Sequence, residues 1–375
     1  MSSKALNDVL GWVALTKAVN VIKDGIPNPF PSWLFSVKGE DRILGNSVKY
    51  NRTYGTRKAA RVVRENAPPR HRELQQEELV EAKFVTFGEE MIFDPQILMT
   101  LRDYESYDNA DRAKRLVANN LQVLGTLFGN ARIVAVATTL ARGAIYVDSD
   151  GNLLPTSSGA SLTFSQQIHA NNIGTIVDGD GNNIFGASGG GSWAVNSTNI
   201  PLQLRRLQKH ASMQHGYKPT VALYGMKIAE YLSQNDYVLD YMARTPAFQS
   251  QGLKDMSIPN GLLGFEWIPV WDASYTKDDG TKVSLWPDDG VTFLPGQSDA
   301  PAFWSLFEGS TQVPTNVNVH TDAMAALNSM KTVYGAYGYG LVNQRPAFNV
   351  SAMAGDRFLP AIKLPDVVYL ANCVN

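Results

Sequence analysis

The sequence predicts an α+β fold for this 375-residue chain, and three observations carry the prediction. An amphipathic helix follows Asn109, short helical and strand segments alternate over residues 200–294, and an aromatic, β-rich segment fills residues 334–374. Hydrophobic residues make up 44% of the chain, which is ordinary for a globular protein with a sizeable core. The length allows two domains, or one body with a large insertion.

The most polar stretch lies at residues 49–90. Its first 24 positions hold eight basic residues and one acid, and its last 18 positions hold six acids and one base. A segment this polar cannot drive its own burial, so we predict a long arm that leaves a globular body. Identical arms on neighbouring copies could pair basic half to acidic half, and this is favoured over contact with phosphates because the net charge is only −2. The residues predicted to contact a neighbouring copy are Arg57, Lys58, Arg61, Arg64, Glu73, Glu77 and Glu78.

The residues before the arm divide into two parts. Residues 1–24 show weak helical periodicity, and prolines from Pro27 onward end it. Residues 27–35 read as an extended piece with large exposed apolar groups, which would lie on a neighbouring copy. The predicted contact residues there are Phe30, Trp33 and Phe35.

Segment patterns predict the order of elements after the arm. Residues 83–93 have strand composition, and Asn109 or Asp111 can cap a helix that breaks at Gly129. A second helix over residues 132–141 would end at Gly143. The predicted buried face of the first helix consists of Leu116, Val117, Asn120, Leu121, Leu124, Leu127 and Phe128.

The second half of the chain alternates. A strand at 144–147 leads into an Asp150-Gly151 turn, and residues 156–201 are mostly loop. Helices are predicted from Ile200 and over 226–232 and 237–242, with strands at 220–223, 265–271, 282–286 and 291–294.

Signals for catalysis and metal binding are weak. Ser188 lies in a G-x-S-x-G match, but a nucleophile elbow needs a strand before it and a helix after it, and Gly190 and Gly191 follow instead. A surface loop is favoured, with a serine hydrolase using Ser188 as the alternative. The stretches from Asp148 and Asp178 lack the glycine and glutamate of a calcium loop and read as hairpin turns. We therefore predict no catalytic residue, no metal site, no cofactor and no membrane span.

Several pieces, in their order, resemble one protein family. They are RENAPP (64–69) before a strand into FDP (93–95), the hairpin at 143–155, GYKPTVALYG (216–225), YTKDDG (275–280), WPDDGVTFLP (286–295) and RFLPAIKLPD (357–366). The chain thereby resembles the major capsid proteins of tailed phages of the lambda head-protein type, the major capsid protein E family. These proteins have the Hong Kong 97-type capsid fold.

The resemblance implies how the chain is divided. Residues 1–44 would be the N-terminal arm and 45–90 the extended loop. Residues 91–198 and 331–375 would form a peripheral domain with a long spine helix, and residues 199–330 an axial domain.

The resemblance also implies a function. The chain would be a structural protein and not an enzyme, self-assembling through hexamers and pentamers into the icosahedral head shell of a tailed bacteriophage. The shell would enclose double-stranded DNA without sequence-specific binding and would be assembled in the host cytoplasm. A portal protein and a separate scaffold protein are the expected partners, and the resemblance leaves open whether a decoration protein binds. An encapsulin-like shell around protein cargo is the alternative.

Overall fold

The computed structural model of the chain describes residues 28–53, 77–93, 107–166, 168, 172–174, 192–249, 258–271, 274–276, 280–314, 330–343 and 349–374. The helices are α1 (Tyr107–Arg142), α2 (Ile200–Gln214), α3 (Met226–Gln234), α4 (Asp236–Arg244), α5 (Pro246–Gln249) and α6 (Ala300–Phe303). The strands of the first half are β1 (Arg42–Ile43), β2 (Ser47–Thr53), β3 (Glu77–Lys83), β4 (Val85–Phe93), β5 (Ala144–Val147), β6 (Leu153–Leu154), β7 (Leu162–Ser165) and β8 (Ile173–Gly174). Those of the second half are β9 (Pro219–Tyr224), β10 (Glu266–Pro269), β11 (Ser274–Thr276), β12 (Lys282–Ser284), β13 (Gly290–Pro295), β14 (Trp304–Pro314), β15 (Met330–Tyr334), β16 (Tyr337–Asn343), β17 (Asn349–Ile362) and β18 (Tyr369–Asn372).

Strand β17 organises the larger sheet. It pairs antiparallel with β14 and β16, and over residues 350–358 also with β4. β1 adds to β14 in parallel, and β15 pairs with β14 in antiparallel. The strand predicted at 83–93 is confirmed as β4, and the β-rich segment predicted at 334–374 supplies β16 to β18.

The predicted break at Gly129 is wrong, because α1 is a single helix of 36 residues. A glycine inside a helix costs roughly 0.5–1 kcal/mol, and the burial of the helix's apolar face outweighs that cost. Leu124 and Phe128 are buried as predicted, but Leu127 is 48% exposed. The stretch Gln122–Arg142 is long and apolar enough to cross a membrane, yet 67% of its most apolar window is buried within the fold, as in a core helix.

Gly143 ends α1, as the sequence predicts. Its φ is +70°, the left-handed region that glycine adopts without strain, and its N–H donates to the carbonyl of Thr139 at 2.9 Å. The chain therefore turns directly into β5.

A second sheet has the order β10-β9-β13-β18-β8. Helices α2, α3 and α4 contribute to its core, with Leu204, Leu207 and Ala211 of α2 buried as their spacing predicts. The side chain of Asn199 caps α2 by accepting from the N–H of Leu202. The mixed α/β character predicted for residues 200–294 is confirmed.

The two sheets exchange strands across the predicted domain boundaries. β14, from the predicted axial segment, pairs with β17, whereas β18, from the end of the chain, pairs with β13. The division into domains at 198–199 and 330–331 remains a prediction.

The stretch from Asp148 forms a hairpin turn. The Asp148 carboxylate accepts from the N–H groups of Asp150 at 2.9 Å and Asn152 at 2.8 Å. These bonds, that from Asn152 first, lower the pKa of Asp148. The stretch from Asp178 lies outside the described residues.

Candidate assembly site at the arm base

Strands β2 and β3 form a two-stranded antiparallel sheet, called the arm base below. In its register, Val48 faces Ala82 and Tyr50 faces Val80, whereas Asn51 faces Leu79. Because side chains alternate across a strand, the first two pairs share the inner face and the third lies on the outer face. Val48 is fully buried, while Leu79 is 64% exposed. The arm base thus lies on its own body and presents its outer face to solvent.

Two ion pairs cross the arm base within one chain. Lys49 lies 3.5 Å from Glu81 on the outer face, and Arg52 lies 3.6 Å from Glu78 on the inner face. The sequence predicts that the two halves pair between neighbouring copies, whereas these two ion pairs lie within one chain. Pairing between copies stays a prediction. Exposed pairs such as Lys49–Glu81 contribute about 0.2–1 kcal/mol each.

The predicted contact residues of the arm fall into two groups. Glu78 is paired with Arg52 of its own chain, and Glu77 begins β3. Arg57, Lys58, Arg61, Arg64 and Glu73 lie outside the described residues. Their contacts with a neighbouring copy stay a prediction.

Arg52 links the arm base to the body. Its side chain is 1% exposed, and Nη2 donates to the backbone carbonyl of Gln166 at 3.1 Å. The Gln166 side chain in turn bonds the backbone of β17, donating to Pro360 and accepting from Ile362, each at 3.1 Å. A buried charge held by such bonds fixes the position of β2.

Tyr50 makes a second contact between the arm base and the body. Its ring stacks on that of Phe307 in β14, with centroids 5.6 Å apart. Burial raises the pKa of Tyr50, and the charge of Arg52 opposes the rise. The Tyr50 phenol therefore stays neutral, and no negative charge is buried beside Phe307.

The expectation of large exposed apolar groups at residues 27–35 is wrong for Phe30. Phe30 is 5% exposed and packs near Trp286 of its own chain, with ring centroids 6.0 Å apart. Residues Ser32–Phe35 form a 3₁₀ turn and not an extended piece. The indole of Trp304 donates to the carbonyl of Leu34 at 2.9 Å.

Trp33 and Phe35 are only partly buried. Both pack against the same core as Phe30, and Trp33 meets the edge of Phe303 with ring centroids 6.0 Å apart. Their remaining exposed area leaves the predicted contact with a neighbouring copy as a prediction. Phe30, Trp33 and Phe35 thus pack on the hydrophobic core of their own chain, and the composition of residues 27–35 does not predict this contact.

A charged junction behind the arm base was not foreseen. Arg132 of α1 donates from Nε to Asp356 at 2.6 Å and from Nη2 to Glu308 at 3.1 Å, and Arg42 of β1 lies 3.4 Å from Glu308. Burial raises the pKa of the Asp356 carboxyl, opposed by Arg132. Burial alone would lower the pKa of Arg132, but the bonds and charge of Asp356 and then Glu308 raise it. The junction joins α1, β1, β14 and β17.

The described residues offer little for catalysis. No group of three or more His, Cys, Asp or Glu in that part of the chain could hold a metal ion. A cleft of about 410 Å³ at the end of α1 is lined by Trp286, Asp288 and Asp289, among others. Asp289 already accepts from Tyr231 at 2.6 Å and Lys227 at 3.2 Å. Ser188 lies outside the described residues.

Comparisons with known proteins agree with the resemblance drawn from the sequence. Residues 11–158 match the family model described as phage major capsid protein E, a stretch that includes the arm base, β4 and α1. No curated protein matches the chain.

Three solved structures illustrate the similarity. A capsid protein from a prophage of Escherichia coli CFT073 is 10% identical, with 96% of this chain and 92% of that chain covered and a TM-score of 0.49. The cyanophage A-1(L) capsid protein is 11% identical over 95% and 96%, with a TM-score of 0.44. A Mycobacterium phage Che8 protein is 13% identical over 88% and 85%, with a TM-score of 0.37.

The structure confirms the α+β fold that the sequence predicts. The family match confirms, over residues 11–158, the resemblance to tailed-phage major capsid proteins. That match spans 148 of the 375 residues, and within it the chain is similar to a phage capsid protein.

Proposed function

We propose that this chain self-assembles, through hexamers and pentamers, into the icosahedral head shell of a tailed bacteriophage that encloses double-stranded DNA. The observation that carries the proposal is the arm base, a two-stranded sheet lying on its own body with an outer face open to another copy. Identical subunits that each present such a surface to a different surface of a neighbour form heterologous contacts, and these close into rings when the rotation allows. Residues 54–76 lie between β2 and β3 in the sequence, and their charges suit contact with unlike surfaces.

The proposal includes the division of the chain and its partners. Residues 1–44 serve as the N-terminal arm, 45–90 as the extended loop, 199–330 as the axial domain, and 91–198 with 331–375 as the peripheral domain. A portal protein and a separate scaffold complete the head, which is assembled in the host cytoplasm. The resemblance to the capsid family supports each of these statements.

Electron microscopy of the purified full-length protein, with size-exclusion chromatography, tests the proposal. We expect closed icosahedral particles, or hexamers and pentamers that convert to particles when scaffold and portal are co-expressed. A protein that stays a small oligomer under all these conditions would contradict assembly.

The contents of the particles separate phage head from encapsulin-like shell. Particles from infected cells should hold nuclease-protected double-stranded DNA; a specific protein cargo in its place would favour the encapsulin-like alternative. Labelling by a serine-directed fluorophosphonate tests the hydrolase alternative, and we expect no label at Ser188.

A further inference from the structure

The two strands of the arm base connect to the rest of the chain at one point, called the arm root below. It consists of Gly45 and Asn46 before β2, and Phe84 between β3 and β4. The N–H of Phe84 donates to the carbonyl of Asn46 at 3.2 Å, which joins the two strands at this point. Gly45 has a φ of +123°, a conformation that glycine adopts readily.

Three consecutive residues of β14 each contact the chain at or next to the arm root. Glu308 pairs with Arg42, 3.4 Å away, and Ser310 Oγ accepts from the N–H of Gly45 at 3.0 Å. Between them, the Phe84 ring lies directly on Gly309, where an added Cβ would be only 2.9 Å from Phe84 Cδ2. Phe84 is itself 6% exposed. Gly309 is thus required for the close approach of this ring.

Arg357 of β17 holds the arm root from the other side. Its Nη1 donates to Asn46 Oδ1 and to the carbonyl of Ser310, both at 2.9 Å. Among the described residues, no carboxylate forms an ion pair with Arg357. Its charged guanidinium therefore donates to two neutral acceptors, one on the arm root and one on the body. Charge-assisted hydrogen bonds of this kind are stronger than bonds between neutral groups.

We propose that the arm root is a fixed attachment, in which Arg357 and Phe84 are positioning residues that set the direction of the arm base before any second copy binds. The inference rests on the proposed function only in that the arm contacts another copy. An arm base that is already held in its binding direction loses less conformational freedom on association. This strengthens assembly without any new contact between copies. The contacts of Tyr50 and Arg52 with the body hold the next residues of β2 in the same direction.

Distances measured in unassembled subunits test the inference. Spin labels on L79C and L127C report the arm base against α1, since both positions are exposed. The native Cys373 is 6% exposed, which protects it during brief labelling. We expect one narrow distance distribution in free subunits, with the same mean distance in assembled particles. A broad distribution that narrows only on assembly would overturn the fixed attachment.

Variants of the arm root supply the second readout. R357M removes both bonds and should broaden the L79C–L127C distribution, whereas R357K keeps a donor and should broaden it less. We expect the critical concentration for assembly of R357M to rise at least on the order of tenfold, since each charge-assisted bond that is lost has an effect of about that size. An R357M distribution and critical concentration equal to wild type would refute the role of Arg357.

The contact between Phe84 and Gly309 has its own rescue experiment. G309A should shift the mean distance, and F84L in the same chain should restore it, because the smaller side chain leaves room for the new methyl group. A second label pair within the body, L127C and M213C, reports whether each variant is folded. If G309A leaves the arm distance unchanged, or F84L fails to restore it while the body pair is unchanged, Phe84 has no positioning role. Failure of the wild type to assemble would instead contradict the proposed function and leave these distances valid.

Discussion

Arg132 and Asp356 are joined by a two-point ion pair between the long helix and the central strand. Nε and Nη2 of Arg132 donate to the two carboxylate oxygens of Asp356 at 2.6 and 2.8 Å, across 224 residues of sequence. Asp356 is fully buried, so its carboxylate has no water to replace Arg132. The position of α1 on the sheet therefore depends on this pair.

Replacing Arg132 should destabilise the subunit strongly. R132M leaves the buried Asp356 carboxylate without its cation, and removing one partner of a buried pair costs about 3–5 kcal/mol. Denaturant unfolding of subunits measures the loss. R42M is the matched control, since Arg42 is 54% exposed, and it should cost only about 0–1 kcal/mol. The double variant R132M/D356L should recover part of the loss; equal stability of R132M and R42M would show that the pair is unimportant.

The charges of the arm should matter for assembly and not for folding. Reversing Arg57, Lys58, Arg61 and Arg64 to Glu should prevent shell formation while the subunit's melting temperature stays near wild type. Single exposed pairs contribute only about 0.2–1 kcal/mol, which is why the four changes are made together. Reversal of Arg205, Arg206 and Lys209, exposed on α2, is a control with a similar change of net charge. Normal particles from the quadruple variant, seen by electron microscopy, would refute the role of the arm charges.

Cys373 should be unreactive in the folded subunit. Burial, and then the charge of Asp289, raises the pKa of its thiol well above the ordinary value, and only the thiolate reacts. A disulfide reagent at pH 8 should label native protein far more slowly than protein unfolded in guanidinium chloride. In M213C, the introduced thiol at a 63% exposed position should react at once. Equally fast labelling of native Cys373 would show that the core around the second sheet opens readily.

Two glycines with positive φ should respond differently to alanine. Gly143 and Gly151 have φ of +70° and +91°, so G143A and G151A both carry a backbone cost of roughly 1–2 kcal/mol. A Cβ at Gly143 would also lie 2.9 Å from Cδ1 of the buried Ile168, while one at Gly151 meets nothing. G143A should therefore be less stable than G151A by about 1–3 kcal/mol in thermal unfolding. I168V in the G143A background should return part of the difference, and equal costs would mean that Ile168 moves aside freely.

The local sequence pattern was sufficient to predict those helices and strands whose buried residues recur at regular spacing. Helix α2 has its buried residues at helical spacing, and β9 and β13 are short apolar runs between turn signals, so each was predicted within a few residues. The polarity of residues 49–90 predicted an arm that leaves the body, which is wrong for β2 and β3, because Val48, Tyr50 and Arg52 are buried against the body. The pairing of β2 with β3 was not predicted, because residues 54–76 separate the two strands in the sequence.

Where the sequence failed, distant residues decided the outcome. Gly129 continues α1 because the sheet buries the helix on both sides of it. Phe30 is buried because it packs near Trp286, a residue more than 250 positions later in the chain. The charged junction combines α1, β1, β14 and β17, and nothing near Arg132 in sequence points to Asp356. Single-sequence patterns carry no information on such pairings.

The pairing of β4 with β17 has a consequence for synthesis on the ribosome. β4 emerges early, but its partner residues 350–358 are translated more than 250 codons later. Pairings of such long sequence separation form slowly, and domains fold only when their segments are complete. A nascent or truncated chain thus lacks the strand that pairs with β4 and carries Arg357 to the arm root. The chain must be translated through residue 358 before β4 has its complete partner strand and Asn46 has its bond from Arg357.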